Sequence, residues 1–120
     1  MTGVQTCALP IYGGRQLDGA ETSIRALPAI VAAVGDQIEV HMDGGVRSGQ
    51  DVLRAWALGA KGVWIGRAMA YGLGAMGEAG VTKALQIIHK ELDVTMAFCG
   101  HTNIQNVDKR ILLPGTFPVA

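Results

Sequence analysis

Apolar and polar positions along this chain change period several times, and each change marks an element. Ile24, Leu27, Val31 and Val34 recur at helical spacing, and Asp18 with Glu21 three residues on offers a cap for that helix. Pro28 falls inside the stripe; lacking an N–H, it must either split the helix or open a second helical segment. Gly35-Asp36 ends it. From Ile38 an apolar run leads to an acid, Asp43, then a Gly44-Gly45 turn and a cation, Arg47. Ser48 and Asp51 form an S-x-x-D pair, the signal for a helix starting near Gly49. Val52, Ala55 and Trp56 keep helical spacing, and Gly59 stops the helix. A second short apolar run, Gly62-Val63-Trp64-Ile65, closes on Gly66-Arg67. Strand, glycine turn, helix, strand, glycine turn, helix is a parallel α/β unit.

Past Arg67, residues Ala68 to Leu73 read as a short helix, and Gly72, Gly74, Gly77 and Gly80 as a loose connector. Val81, Ala84, Leu85, Ile88, Leu92 and Met96 then form the stripe of a long amphipathic helix, with Gly100 as its stop. Pro114-Gly115 and Pro118 make the segment from His101 to Ala120 an irregular tail, expected to pack over the exterior.

Both glycine–arginine turns fall at the carboxyl ends of their strands, where α/β proteins place ligands. Glycine lets backbone N–H groups approach an anion closely, a helix N-terminus adds a favourable dipole, and a guanidinium grips phosphate through paired hydrogen bonds. Two such turns on neighbouring strands would converge on one phosphate, as in the last two strands of a (β/α)8 barrel. The residues alone also allow the plainer reading, in which the glycines only shape turns and the arginines are solvated. The expected fold class is therefore α/β, the C-terminal part of a (β/α)8 barrel comprising its last two or three units.

Composition narrows the function classes. With 120 residues, a formal net charge of zero and 17% charged residues, the chain has no basic patch for nucleic acid. No apolar run approaches the length of a membrane span, and the N-terminus lacks the positive region of a signal peptide. Cys7 and Cys99 make neither a ligand cluster nor a disulfide framework, and His41, His89 and His101 lack metal-ligand spacing, so no metal is expected. Arg15, flanked by Gly13-Gly14, belongs to no apolar pattern; it is either an anion-binding residue or a solvated one.

The first eleven residues, MTGVQTCALPI, resemble the conceptual translation of a short-read sequencing adapter started at a GTG codon. The expected organisation is a non-native segment over 1–11, the barrel part over 12–100 and the tail over 101–120.

Taken together, Gly13-Gly14-Arg15-Gln16-Leu17-Asp18, Asp43-Gly44-Gly45-Val46-Arg47 and Gly66-Arg67 resemble the C-terminal part of the FMN-dependent α-hydroxy-acid dehydrogenases and oxidases. The likeness runs from Gly13 to about Gly100. D-G-G alone occurs in many phosphate-binding barrels, including other FMN barrels; its combination with G-G-R-Q-L-D is specific. The resemblance implies an FMN cofactor and hydride transfer from a 2-hydroxy acid, L-lactate first, with glycolate or mandelate as alternatives. It implies that Arg15 binds the substrate carboxylate and that Asp43 accepts hydrogen bonds from the ribityl hydroxyls. Gly44, Gly45, Arg47, Gly66 and Arg67 would hold the FMN phosphate. The family's base histidine corresponds to Tyr12, and a phenol with pKa near 10 cannot replace imidazole as a base near pH 7. The parent enzyme is expected to be a homo-oligomer in the cytoplasm or at the inner-membrane surface, with its electron acceptor unassigned. The 120-residue chain by itself is expected to be an inactive phosphate-binding half barrel.

Overall fold

In the computed structural model, which describes residues 17–116, helix α1 (Ser23–Val34) begins after Thr22 rather than after Asp18. Gly19 takes a φ of 77°, a left-handed backbone that the first residue of a helix capped by Asp18 could not adopt, and Ala20 N–H turns back to the Leu17 carbonyl at 3.4 Å. Asp18 therefore sits in a turn. Pro28 neither splits α1 nor opens a new helix; the helix runs through it. An interior proline costs about 3 kcal/mol. Full burial of one leucine side chain contributes roughly 1.5–3 kcal/mol, and Leu27 is fully buried while Ile24, Ile30, Val31 and Val34 pack on the same core. Packing outweighs the lost bond.

Strands β1 (His41–Asp43) and β2 (Gly62–Trp64) pair in parallel, His41 opposite Gly62, Met42 opposite Val63 and Asp43 opposite Trp64. Between them runs α2 (Gly49–Ala57), which opens on the expected capping box. Its end is a Schellman motif: Gly59 N–H donates to Trp56 O at 2.9 Å and Ala60 N–H to Ala55 O at 3.0 Å, with Gly59 at φ 105°. One face of α2 sends Ala55 into the core, joined by the C-cap residue Leu58, and both pack with Leu27, Val40, Met42, Val46 and Ala60. The other face sends Leu53 and Ala57 towards Leu92, Met96, Val107 and Ile111. Helix α2 is thus the middle layer, between the strand pair and the C-terminal half of the chain.

Helix α3 spans Arg67–Phe98 and breaks once, at Met76 (φ −144°, ψ 17°) and Gly77 (φ 60°, ψ −140°). The expected glycine connector shrinks to these two residues, because Gly72, Gly74 and Gly80 are helical. The first arm, 67–75, folds back on the second, 78–98. Of the expected stripe, Leu92 and Met96 pack towards α2, whereas Leu85 stays exposed. The tail is more regular than expected: 3-10 turns at Ile104–Asn106 and Lys109–Ile111 flank buried Val107 and lay Ile104 and Ile111 over α2 and α3.

Candidate cofactor-binding site

Alternation along β1 buries Met42 against the helices and puts Asp43 on the opposite, open face together with His41. The register carries the geometry further. Asp43 and Trp64 are partners, so Gly44-Gly45 and Ile65-Gly66 leave the sheet side by side, about 4.8 Å apart as neighbouring strands are. Both turns then enter helices, α2 after Ser48 and α3 after Gly66.

The first turn is held at both ends. Asp43 Oδ1 accepts the Gly44 N–H at 2.7 Å, leaving Oδ2 without a hydrogen-bond donor among the described residues. Gly44 and Gly45 take φ values of 97° and 81°, which a side chain would strain. Val46 is buried and anchors the turn in the core. Beyond it, Asp51 Oδ2 accepts the N–H groups of Arg47 at 3.1 Å and Ser48 at 3.2 Å, while Asp51 N–H donates to Ser48 Oγ at 3.3 Å. Arg47 itself is exposed.

The two helix N-termini differ in what they leave open. At α2, Ser48 and Asp51 form the cap, and Gly49 N–H donates to Glu91 Oε2 at 2.9 Å. At α3, Gly66 supplies no side-chain cap and the first turn holds no acid. The orphan N–H groups and positive dipole end of α3 are therefore the ones available to an anion. A Cβ placed on Gly45 or on Gly66 would meet no heavy atom within 4 Å, so a phosphate can reach the backbone at both places. Arg47 and Arg67 form no ion pair among the described residues, whereas Arg54 and Arg110 are paired with Asp51 and Asp108. Open backbone, one uncapped dipole and two unpaired guanidiniums fit a phosphate group. Asp43, with one carboxylate oxygen free, fits a neighbouring hydroxyl.

The structure thus brings Asp43, Gly44, Gly45, Arg47, Gly66 and Arg67 to one end of the strand pair. Tyr12 and Arg15 lie outside the described residues. The site is an open ledge: two surface hollows lie instead along α3, one beside Lys83 and Ile87, the other beside Ser48 and Phe98. Two features escaped the sequence reading. Trp64 stands half-exposed on the same face as Asp43, its ring centroid 6.1 Å from that of His41. Period-two alternation against Val63 was the available signal. The contact of Glu91 with Gly49 joins residues 42 apart, and no local pattern announces it.

Comparison with known proteins agrees with this geometry. A profile of the FMN-dependent dehydrogenase family matches residues 2–114, a range that takes in most of the stretch 1–11. The L-lactate dehydrogenase of Caulobacter vibrioides (strain NA1000 / CB15N) is 58% identical over 101 residues, covering 84% of this chain and 26% of that protein. The pre-mycofactocin synthase of Mycobacterium tuberculosis (strain ATCC 25618 / H37Rv) is 47% identical over 116 residues, covering 96% of this chain and 29% of that protein. The solved structure of an oxidised, active mutant of (S)-mandelate dehydrogenase superposes with a TM-score of 0.81 at 38% identity, covering 88% of this chain and 30% of that one. The chain spans between a quarter and a third of the length of these relatives, and its strands and helices are the C-terminal part of a (β/α)8 barrel. Profile, relatives and paired glycine–arginine turns agree, and the chain belongs to the FMN-dependent dehydrogenase family.

Proposed function

We propose that this chain is the phosphate-holding end of an FMN-dependent 2-hydroxy-acid dehydrogenase that converts L-lactate to pyruvate. The observation that carries the reading is the pairing of Asp43 with Trp64, which sets two glycine–arginine turns side by side at the carboxyl end of the sheet. Arg47 and Arg67 neutralise the phosphate, while Gly45 and Gly66 admit it to the backbone. The free oxygen of Asp43 takes a ribityl hydroxyl. Arg15 holds the substrate carboxylate. When bound, FMN would supply the acceptor for the hydride that leaves the substrate's α-carbon, and the hydroxyl proton would pass to the family's base histidine, whose position Tyr12 occupies here. The high identity to an L-lactate dehydrogenase supports L-lactate, and the resemblance to mandelate-acting enzymes supports mandelate as the second substrate to try. The parent enzyme is proposed to be a homo-oligomer.

The test is titration of the apo form of the full-length barrel with FMN. Arg47→Ala and Arg67→Ala should each raise the dissociation constant, because a hydrogen bond to a charged group contributes about 1.5–3 kcal/mol, roughly 10- to 150-fold. Unchanged constants in both variants would sink the assignment. A second reading concerns the 120-residue chain by itself, for which we propose no activity. Its described sheet has two strands, and Trp64, Leu85 and Phe98 are exposed. Open edges and exposed apolar surface favour aggregation. A soluble, yellow, lactate-oxidising preparation of this chain would refute that reading.

A further inference from the structure

The two phosphate-gripping turns belong to different helices. The strand pairing sets the two turns side by side, but Gly44–Arg47 leads into α2 and Gly66-Arg67 opens α3, so their spacing beyond the sheet also depends on how α2 sits against α3. One side chain ties them. Glu91, on the second arm of α3, reaches the first residue of α2, where its Oε2 accepts the Gly49 N–H at 2.9 Å. Around this bond the helices meet backbone to backbone. A Cβ on buried Gly49 would lie 2.0 Å from Leu92 N and 2.6 Å from Ile88 O, so no side chain fits there.

We infer that Glu91 is a positioning residue for the phosphate site: it sets the Gly44–Arg47 turn at a fixed distance from Gly66-Arg67. The inference rests on the FMN-phosphate reading above. Two physical effects combine. A carboxylate accepting a helix N-terminal N–H makes a charge-assisted bond along the dipole, which resists sliding of α2 on α3. The same negative charge occupies the N-terminus of α2, so that an incoming anion is directed to the uncapped N-terminus of α3. Asp51 completes the chain of contacts by taking the N–H groups of Arg47 and Ser48. Displacement of Gly49 is thereby passed to Arg47.

Riboflavin, which lacks the phosphate, separates this role from plain stabilisation. In the full-length barrel prepared without flavin, dissociation constants for FMN and riboflavin are measured by fluorescence quenching. Glu91→Ala should raise the FMN constant by about tenfold or more and leave the riboflavin constant in place. Glu91→Gln, whose amide oxygen can still accept the Gly49 N–H but carries no charge, should recover part of the FMN affinity. Glu91→Asp, which keeps the charge but is too short to reach, should behave like alanine and serves if the alanine variant does not fold. Equal losses for both flavins would overturn the inference, since they mark a merely structural contact. So would unaltered FMN affinity in Glu91→Ala while Arg47→Ala weakens FMN alone. If Arg47→Ala also fails to separate the two flavins, the phosphate reading itself falls, and the role of Glu91 with it.

Discussion

Gly72 and Gly80 touch backbone to backbone across the break in α3: a Cβ on Gly80 would lie 1.8 Å from the Gly72 carbonyl oxygen. The chain reverses at Met76-Gly77, and the two arms close on each other at the one pair of positions without side chains to hold them apart. This crossing orients the first arm, whose N-terminus carries Gly66-Arg67, against the second arm, which carries Glu91.

Gly80→Ala should accordingly destabilise the protein by about 1–3 kcal/mol, the usual cost of overpacking. Gly74→Ala is the matched control. It lies in the same helix with nothing within 4 Å of its Cβ position, and alanine there should stabilise by up to about 1 kcal/mol. Denaturant unfolding of both variants checks the crossing. An unfolding midpoint for Gly80→Ala at or above that of the parent would show that the arms do not meet there.

Asp43 should affect the ribityl chain and not the phosphate. Asp43→Ala is expected to weaken FMN and riboflavin alike, by about tenfold, since the hydrogen bonds lost are to a charged acceptor. Asp43→Asn retains an oxygen for the Gly44 N–H, which Asp43 accepts at 2.7 Å, and so isolates the ribityl contribution from the turn. Riboflavin bound by Asp43→Ala as tightly as by the parent would remove Asp43 from the ribityl contact.

The tail carries a pH-dependent contact. The Arg110 side chain, hydrogen-bonded to Asp108 at 2.9 Å through Nε, and the Arg110 backbone N–H pull the Asp108 carboxyl from its usual 3.8 down to about 2. A carboxyl lowered on folding supports the fold above its ordinary pKa and loses that support as pH falls through the folded value. The 3-10 turn at Lys109–Ile111 should thus stay capped at pH 5 and loosen between about pH 4 and pH 2. Asp108 is half-exposed, so the contribution to global stability is small. An NMR titration of the Arg110 amide reads it directly; a midpoint at 3.8 would mean the pair does not persist in solution.

Tyr12 is expected to be a chimeric codon. The suspected adapter ends in CCGATCT, which in this frame encodes Pro10 and Ile11 and leaves one T. Histidine is CAC or CAT; replacing the first base with T yields TAC or TAT, both tyrosine. Resequencing the locus across this junction should return a histidine codon preceded by different upstream sequence. A clean genomic tyrosine, with Met1 to Ile11 in frame before it, would establish a natural protein that has exchanged its base.

What the sequence determined by itself is the set of features decided within a few residues. Ser48 and Asp51 had to cap a helix because their groups meet at three-residue spacing, and Gly59 had to end it because the left-handed residue of that turn favours glycine. Asp43-Gly44-Gly45 and Gly66-Arg67 announced two glycine turns at the ends of neighbouring strands because strand, turn and helix succeed one another locally. Tertiary structure decided the rest. The run of α1 through Pro28 depended on the core that buries Leu27. Helical Gly72 and Gly80, read from sequence as a connector, owe their state to each other across a fold-back. The bond from Glu91 to Gly49 exists only because α3 returns to the N-terminus of α2. Periodicity and capping record interactions between neighbours in the chain. Contacts between distant residues depend on the path the backbone takes, and packing selects that path.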